Sequence, residues 1–398
     1  MPLHRRGRDR PTPFTRALAA LAERGRVGAE LGWRLDMVRA LGPVAAARHL
    51  RPGSDPSTTW EDFHRRIWQE AADAVGAELE DLGAGFLVLR RGGRSTTVWQ
   101  YHVMLDDPVT LRLALDKRLG HRLLAVAGLP VPSQLEFALD DLGAAQAFLA
   151  GSPSPCVVKP ASGTGGGHGV TCGIARADDL VRACVRACRW DRRLLIERQA
   201  AGDEYRLLVC EGELLDVIRR RPPVLVADGR STVRQLVEAE NVRRAALCGW
   251  AGLRPIDIDL DCLFTLRAAG LTLRSVLPEG RPIRVKSTAN SSGPSDNETV
   301  HAVSAELVAE AVTAARVLGV RLAGVEVITP DPGTSLRRAG GVVVEVNGTP
   351  GLHYHYLVAN PERSTAVAAP ILSRLLAPEA DQPIATHTAS ANAAVPTT

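Results

Sequence analysis

Two runs of alternating apolar and polar residues in the last third of the chain predict neighbouring β-strands. In the run 342–347, side chains alternate between faces, so Glu345 and Asn347 project together while the valines pack behind them. In the run 323–328, Glu326 is a lone carboxylate among apolar residues, which is costly unless it is paired or bound to a metal. Such oxygen ligands suit Mg²⁺, so the pattern predicts a metal site, with an ordinary polar strand end as the alternative.

A helix followed by a hairpin is predicted nearer the N-terminus. Apolar residues recur at helical spacing from Trp60 to Leu82, and two β-rich runs, 85–89 and 95–102, flank a glycine turn. We therefore divide the chain into four parts. Residues 1–57 are a poorly defined N-terminal segment, and residues 58–110 form a small α+β domain. Residues 111–376 form the main domain, with a glycine-rich lobe at about 120–200, and residues 377–398 are a disordered tail.

Two features are predicted from spacing later in the main domain. The segment 241–284 has little periodicity and is predicted to be a less regular insert. Ser295 and Glu298 have the spacing of a capping box, which predicts that the helix of residues 300–318 begins there.

A glycine-rich loop follows a predicted buried strand that carries Lys159. Five of the seven residues from Gly163 to Gly169 are glycine, so the backbone can bend closely around a phosphate. A flexible linker is the alternative, although linkers are seldom bounded by such strands. The loop matches neither the P-loop motif nor the dinucleotide fingerprint, because no lysine follows the glycines and no helix starts directly after them.

Two further segments have polar chemistry that the pattern alone leaves open. Lys117 opens a helical stretch, where it is either a surface lysine or a phosphate contact. The polar segment 284–293 contains Lys286 and Asn290, and it could bind a carboxylate or phosphate or form a plain surface loop.

Composition narrows the class of protein. The 398 residues carry a net charge of +4, with an arginine cluster near the N-terminus that we interpret as a solvated tail, and no basic run has the interleaved aromatics of a nucleic-acid site. No apolar run approaches the length of a membrane span. The seven cysteines are scattered without a paired motif, so we expect them to pack in the core of a reduced, cytoplasmic protein.

The order of the motifs resembles the ATP-grasp superfamily of carboxylate–amine ligases, in particular the ATP-grasp portion of cyanophycin synthetase and related peptide ligases. The resemblance covers roughly residues 105–361. It rests on the segments 116–117, 157–169, 196–198, 205–209, 219–222, 226–232, 323–326 and 345–351. The chain shows no Mur-ligase-like domain, so cyanophycin polymerisation is not expected, and the segment around Asn290 lacks the repeated glycines of that enzyme.

The resemblance implies an α+β fold in which two lobes clasp ATP, preceded by a small N-terminal α+β domain. It implies three groups of site residues. Nucleotide contacts would come from Lys117, Lys159, Gly163, Thr164, Gly165, Gly166, Gly167, His168, Gly169, Glu197, Arg198, Gln199 and Glu204. Glu326, Glu345 and Asn347 would hold Mg²⁺, which Mn²⁺ could replace, and Arg206, Arg220, Lys286 and Asn290 would serve the reacting carboxylate.

The implied reaction joins amino acids or peptides through an acylphosphate, with release of ADP and phosphate. A glutamate–cysteine or glutathione-type ligase, an ATP-binding regulator and a small-molecule kinase of the same fold are the alternatives. A dinucleotide oxidoreductase is least favoured. No nucleic-acid or membrane partner is expected, and a homodimer or higher homo-oligomer remains open.

Overall fold

A computed structural model describes residues 11–41, 57–162, 167–246, 255–289 and 296–378. The predictions for Gly163, Thr164, Gly165, Gly166 and Asn290 therefore lie outside the described residues. The predicted C-terminal tail lies outside them as well, apart from its first two residues.

The described residues of the N-terminal part form three helices and a small antiparallel sheet. These elements are α1 (Pro13–Glu23), α2 (Arg26–Leu41), α3 (Ser57–Val75), β1 (Glu78–Gly83), β2 (Phe86–Arg91) and β3 (Arg94–Trp99), with sheet order β1-β2-β3. The predicted helix from Trp60 to Leu82 is wrong at its end. Gly76, with φ of +67°, follows the helix, and the next residues pair with β2, so tertiary pairing outweighs their helical spacing.

The next elements build a four-stranded antiparallel sheet, here called the small sheet. They are α4 (Pro108–Ala114), α5 (Lys117–Val126), β4 (Gln134–Ala138), α6 (Leu142–Ala150), β5 (Cys156–Pro160), β6 (Thr171–Ile174), α7 (Ala177–Ala187) and β7 (Arg193–Arg198), with sheet order β4-β7-β5-β6. A shared apolar core joins α1, α2 and α7 to this sheet, including Leu18, Leu180 and Ile196.

The remaining elements build a five-stranded antiparallel sheet, here called the large sheet. They are β8 (Asp203–Cys210), β9 (Glu213–Arg220), β10 (Val224–Val226), α8 (Val233–Ala246), α9 (Leu260–Ala268), β11 (Pro282–Arg284), β12 (Asn297–Thr299), α10 (Ala305–Val317), β13 (Leu322–Thr329), α11 (Leu336–Ala339), β14 (Val342–Asn347) and α12 (Ala368–Leu375). The order in the large sheet is β12-β9-β8-β13-β14, and β10 pairs with β11.

Two predictions in this region are wrong. The supposed less regular insert contains the end of α8, all of α9 and β11, which surround an apolar core of their own. The predicted capping box does not start a helix, because residues 297–299 pair with β9 as a strand. The helix begins instead after Ser304, whose hydroxyl accepts a hydrogen bond from the Leu307 backbone N–H at 3.0 Å.

The two faces of the large sheet have different surroundings. On one face, side chains such as Leu207 and Val325 pack with Leu307 and its neighbours on α10. On the other face, Leu208 and Leu322 pack with α3 and the small N-terminal sheet. The rest of that second face is open, and the charged side chains of β8, β9, β13 and β14 lie there.

Composition and sequence pattern gave predictions about the pairing of the cysteines and about membrane-spanning segments. Cys156, Cys172, Cys184, Cys188, Cys210 and Cys262 are free thiols, and five of these six are buried. Within the described ranges, no helix is long and apolar enough to cross a membrane.

Candidate active site

A cavity lies between the small sheet and the open face of the large sheet. The sequence-predicted residues that line it are Lys117, Lys159, Gly167, Glu197, Arg198, Gln199, Glu204, Arg206, Arg220, Glu326, Glu345 and Asn347. Residues that are distant in sequence therefore meet in one place, as the ordered motifs predicted.

The predicted metal ligands are cross-strand neighbours. The register of β13 and β14 places Glu326 opposite Glu345 and Gly324 opposite Asn347. Oε1 of Glu326 accepts hydrogen bonds from Asn347 Nδ2 at 3.2 Å, from Arg220 Nη1 at 3.3 Å and from Arg206. The two carboxylates and the amide lie on neighbouring strands, and this set of oxygen-bearing side chains fits a hard divalent cation.

Two buried lysines line the cavity, and each lies beside a glutamate. Lys117 is the first residue of α5, which Asp116 caps, and its Nζ lies 2.7 Å from Glu345 Oε1. Burial alone would lower the pKa of Lys117, but the charge and hydrogen bond of Glu345 outweigh it and raise the pKa. On β5 of the small sheet, Lys159 Nζ lies 2.7 Å from Glu197 Oε2. One lysine thus pairs with a carboxylate of the large sheet and the other with a carboxylate of the small sheet.

Two arginines and an aromatic ring form the wall next to the carboxylates. Burial would raise the pKa of Glu326, but the guanidinium groups of Arg206 and Arg220 hold it below its usual value. Arg220 also binds Glu204, which lies opposite it on β8. The ring of Tyr354 lies 4.9 Å from Arg206 Cζ and 4.8 Å from Arg220 Cζ. Sequence reasoning missed Tyr354, although it follows closely after the turn that ends the Glu345 strand.

The described end of the glycine loop packs tightly. Gly169 has φ of +78°, and a Cβ atom there would lie 2.7 Å from Pro160 Cγ. His168 stacks on Trp190 with ring centroids 6.0 Å apart, and His168 is absent from the residues that line the cavity. A side chain at Gly169 would thus displace the strand that carries Lys159.

The predicted hinge residues border an apolar part of the cavity. Gln199 Oε1 accepts a hydrogen bond from the Gly173 backbone N–H at 2.9 Å, which ties β7 to β6. The apolar side chains beside it, which sequence reasoning did not single out, are Val157, Val170, Ile328 and Val344. Aliphatic side chains on both lobes make this the least polar part of the cavity.

Lys286 is placed differently from the other predicted cations, because it does not line the cavity. Its side chain is fully buried, and Nζ lies 2.9 Å from both carboxylate oxygens of Asp259 and 3.9 Å from Asp261 Oδ2. Arg186 also binds Asp259, at 2.6 Å. Asp261 in turn accepts hydrogen bonds from the backbone N–H groups of residues 287 and 288, which do line the cavity.

Comparisons with known proteins find similarity to ligases of the kind that the motifs resemble. No family model matches the chain. A cyanophycin synthetase from Nostoc sp. is 34% identical over 249 residues, which are 62% of this chain and 27% of that protein. The glutathione biosynthesis bifunctional protein GshAB from Streptococcus mutans is 28% identical over 352 residues, which are 79% of this chain and 45% of that protein.

The fold is shared with a solved structure. The crystal structure of a bifunctional glutathione synthetase from Pasteurella multocida matches with a TM-score of 0.51 and 22% identity, over 79% of this chain and 44% of that one. The chain thus spans less than half the length of each of these three proteins. The resemblance predicted from the motifs is confirmed, and the chain has the α+β ATP-grasp fold.

Proposed function

We propose that the protein is an ATP-dependent carboxylate–amine ligase that forms an amide or peptide bond and releases ADP and phosphate. The observation that carries the proposal is the meeting of Lys117 and Lys159 with Glu326, Glu345 and Asn347 in one cavity. Cations for phosphates and oxygen ligands for a divalent metal are the groups that phosphoryl transfer requires.

The chemistry follows from the poor reactivity of a carboxylate. Oxide cannot leave when an amine attacks, whereas phosphate can, so transfer of the γ-phosphoryl group activates the acid. Lys117 and Lys159 would bind the phosphates, and Arg206 and Arg220 would hold the carboxylate that receives the phosphoryl group. The apolar walls around Val157 and Ile328 would receive the adenine base, with Glu197 to Gln199 along its edge and Glu204 at the ribose.

Magnesium fits the same arrangement. Glu326, Glu345 and Asn347 would hold it, and it would neutralise charge on the phosphates. Both carboxylates already have cationic partners in Lys117, Arg206 and Arg220. We infer that these side chains turn toward phosphate and substrate oxygens when the metal takes over part of the carboxylates' charge.

The identity of the substrates is part of the proposal. Amino acids or peptides are the substrates we favour, in a specialised or peptide biosynthetic pathway of the cytoplasm. A glutathione-type ligase is the second candidate, because the similarity to GshAB covers more of this chain than the similarity to cyanophycin synthetase does. The 58–110 and 111–376 division remains our proposal for the domains.

The test is ADP release by the purified protein with Mg²⁺ and ATP, across amino acids singly and in pairs, with mass spectrometry of the products. A product lighter than a pair of substrates by one water, formed together with ADP, supports the ligase. Glutamate with cysteine, or their dipeptide with glycine, would favour the second candidate. A phosphorylated product formed without an amine would identify a kinase instead, and ATP binding with no turnover would favour a regulator.

Glu345→Gln provides the matched control for this assay. We expect it to abolish ADP formation while the protein stays folded, because it removes a metal-binding charge and the partner of Lys117. Turnover close to that of the unchanged protein would remove Glu345 from the metal site.

A further inference from the structure

Aromatic residues make up only 4% of the chain, yet a run of ring contacts leads from α3 to the cavity. Trp60, on α3, contacts the ring of His353 edge-on with centroids 4.7 Å apart. His353 in turn contacts Tyr354 at 3.9 Å. Tyr354 lies against the guanidinium groups of both Arg206 and Arg220.

Hydrogen bonds to Asp216 hold the backbone turn that carries His353 and Tyr354. Residues Leu352–His355 form a short 3₁₀ helix. His355 is fully buried, and its Nδ1 lies 2.7 Å from Asp216 Oδ2. The Thr365 hydroxyl donates to the other oxygen of Asp216 at 2.9 Å. The turn is therefore anchored to β9, and the ring of His353 contacts both Trp60 and Tyr354.

Trp60 is held just as firmly at the other end of the run. Its indole N–H donates to Gln100 Oε1 at 2.9 Å, and its ring contacts His64 with centroids 4.4 Å apart. The Trp60 ring thus has fixed neighbours on the N-terminal side and fills the space beside His353.

The His353 ring in this run is uncharged near neutral pH. Burial, together with the charges of His64, Arg206 and Arg220, holds the pKa of His353 well below its usual value. A neutral imidazole does not repel the guanidinium groups beyond Tyr354. It therefore acts through its shape and ring contacts.

We propose that Trp60 and His353 are positioning residues, which hold Tyr354 against Arg206 and Arg220 and so aim this arginine pair at the reacting carboxylate. The inference rests on the proposed ligase function and deepens it. The small N-terminal α+β domain becomes part of the acyl-substrate site, although none of its residues lines the cavity among those described.

The expected effect is selective for one substrate. Cation–π contacts with desolvated arginines are strong enough to affect substrate affinity. If Tyr354 no longer holds Arg206 and Arg220 in place, the KM of the carboxylate substrate should rise about 5- to 30-fold. The affinity for Mg²⁺-ATP, measured by calorimetry, should change less than about twofold, because the carboxylates beside Lys117 and Lys159 are Glu345 and Glu197, which lie on β14 and β7.

The experiment compares Trp60→Leu with Trp60→Phe and with Trp99→Leu. Trp60→Phe keeps a ring and should recover most of the KM. Trp99 is the matched control, because it stacks on Phe86 and is separated from Trp60 by the rings of His102 and Tyr101. In a Tyr354→Leu background, Trp60→Leu should have no further effect on this KM. An effect of the same size in that background would overturn the proposal, since it would act by another route.

A crystal structure of the Trp60→Leu variant separates this inference from the ligase function. We expect a displaced Tyr354 ring and reoriented Arg206 and Arg220 guanidinium groups. Unchanged positions would overturn the positioning role even if the ligase assay succeeds. Displaced groups in a protein that releases no ADP would retain the positioning role and refute the ligase.

Discussion

Lys286→Met distinguishes a structural from a substrate-binding role for a buried cation. Two cations, Arg186 and Lys286, face two carboxylates, Asp259 and Asp261, so the buried cluster has no net charge when all four groups are ionised. Methionine has nearly the same length as lysine, so the substitution removes the charge and leaves little empty volume. The cluster is then left with one uncompensated negative charge.

The magnitude follows from the distances. Asp259 loses Lys286 at 2.9 Å but keeps Arg186 at 2.6 Å, whereas Asp261 loses its partner in the cluster, at 3.9 Å. With an effective dielectric constant of about 20, this attraction is about 4 kcal/mol, which agrees with the 3–5 kcal/mol typical of a broken buried pair. Since domains unfold with roughly 5–15 kcal/mol, we expect a large fall in stability.

The assay is urea denaturation followed by fluorescence, with the double variant Lys286→Met/Asp261→Asn as the control. Asparagine restores electrical neutrality, and its side-chain oxygen can still accept from residues 287 and 288, so the double variant should recover at least about 1 kcal/mol. A single variant of unchanged stability whose KM for the carboxylate substrate alone rises would refute this reasoning and restore the role predicted from the sequence.

Two further predictions concern the glycine loop and acid stability. Gly169→Ala should lower the free energy of unfolding by about 1–3 kcal/mol and weaken ATP binding, because the new methyl would meet Pro160. The control Gly143→Ala lies in α6 with open space around it and should raise the free energy of unfolding by up to about 1 kcal/mol. Equal effects of the two variants in calorimetry and denaturation would contradict this. Burial lowers the pKa of His64 to about 4, so the unfolded chain binds the extra proton and stability is lost as the pH falls from about 6.5 to 4, by about 3 kcal/mol. Urea titrations of His64→Leu should show a flatter pH dependence, and an unchanged slope would contradict the assignment.

Much of the site could be predicted because it depends on local alternation. Glu326, Glu345 and Asn347 follow from the two-residue period of a strand, and the register of β13 and β14 brings them together. The position of Lys117 at a helix start was also accessible, since Asp116 precedes it as a cap.

The role of Lys286 could not be derived in this way. Its partners Asp259 and Asp261 precede it by more than twenty residues, in a segment whose pattern gives no sign of α9. The turn containing Tyr354 is similar, because its aim depends on Trp60, almost three hundred residues earlier. Capping-box spacing misled for a related reason, since pairing with β9 is a long-range interaction.

The charged row across β8, β13 and β14 also has a consequence for folding. Arg206 lies opposite Glu326, which lies opposite Glu345, and the alternate residues of these strands pack on α10. A slip of one residue would turn the charged side chains of the slipped strand into that apolar layer. Burying these charged groups in the apolar layer would destabilise the misaligned pairing by several kcal/mol. The same groups that we assign to catalysis therefore also favour the correct strand register when the sheet forms.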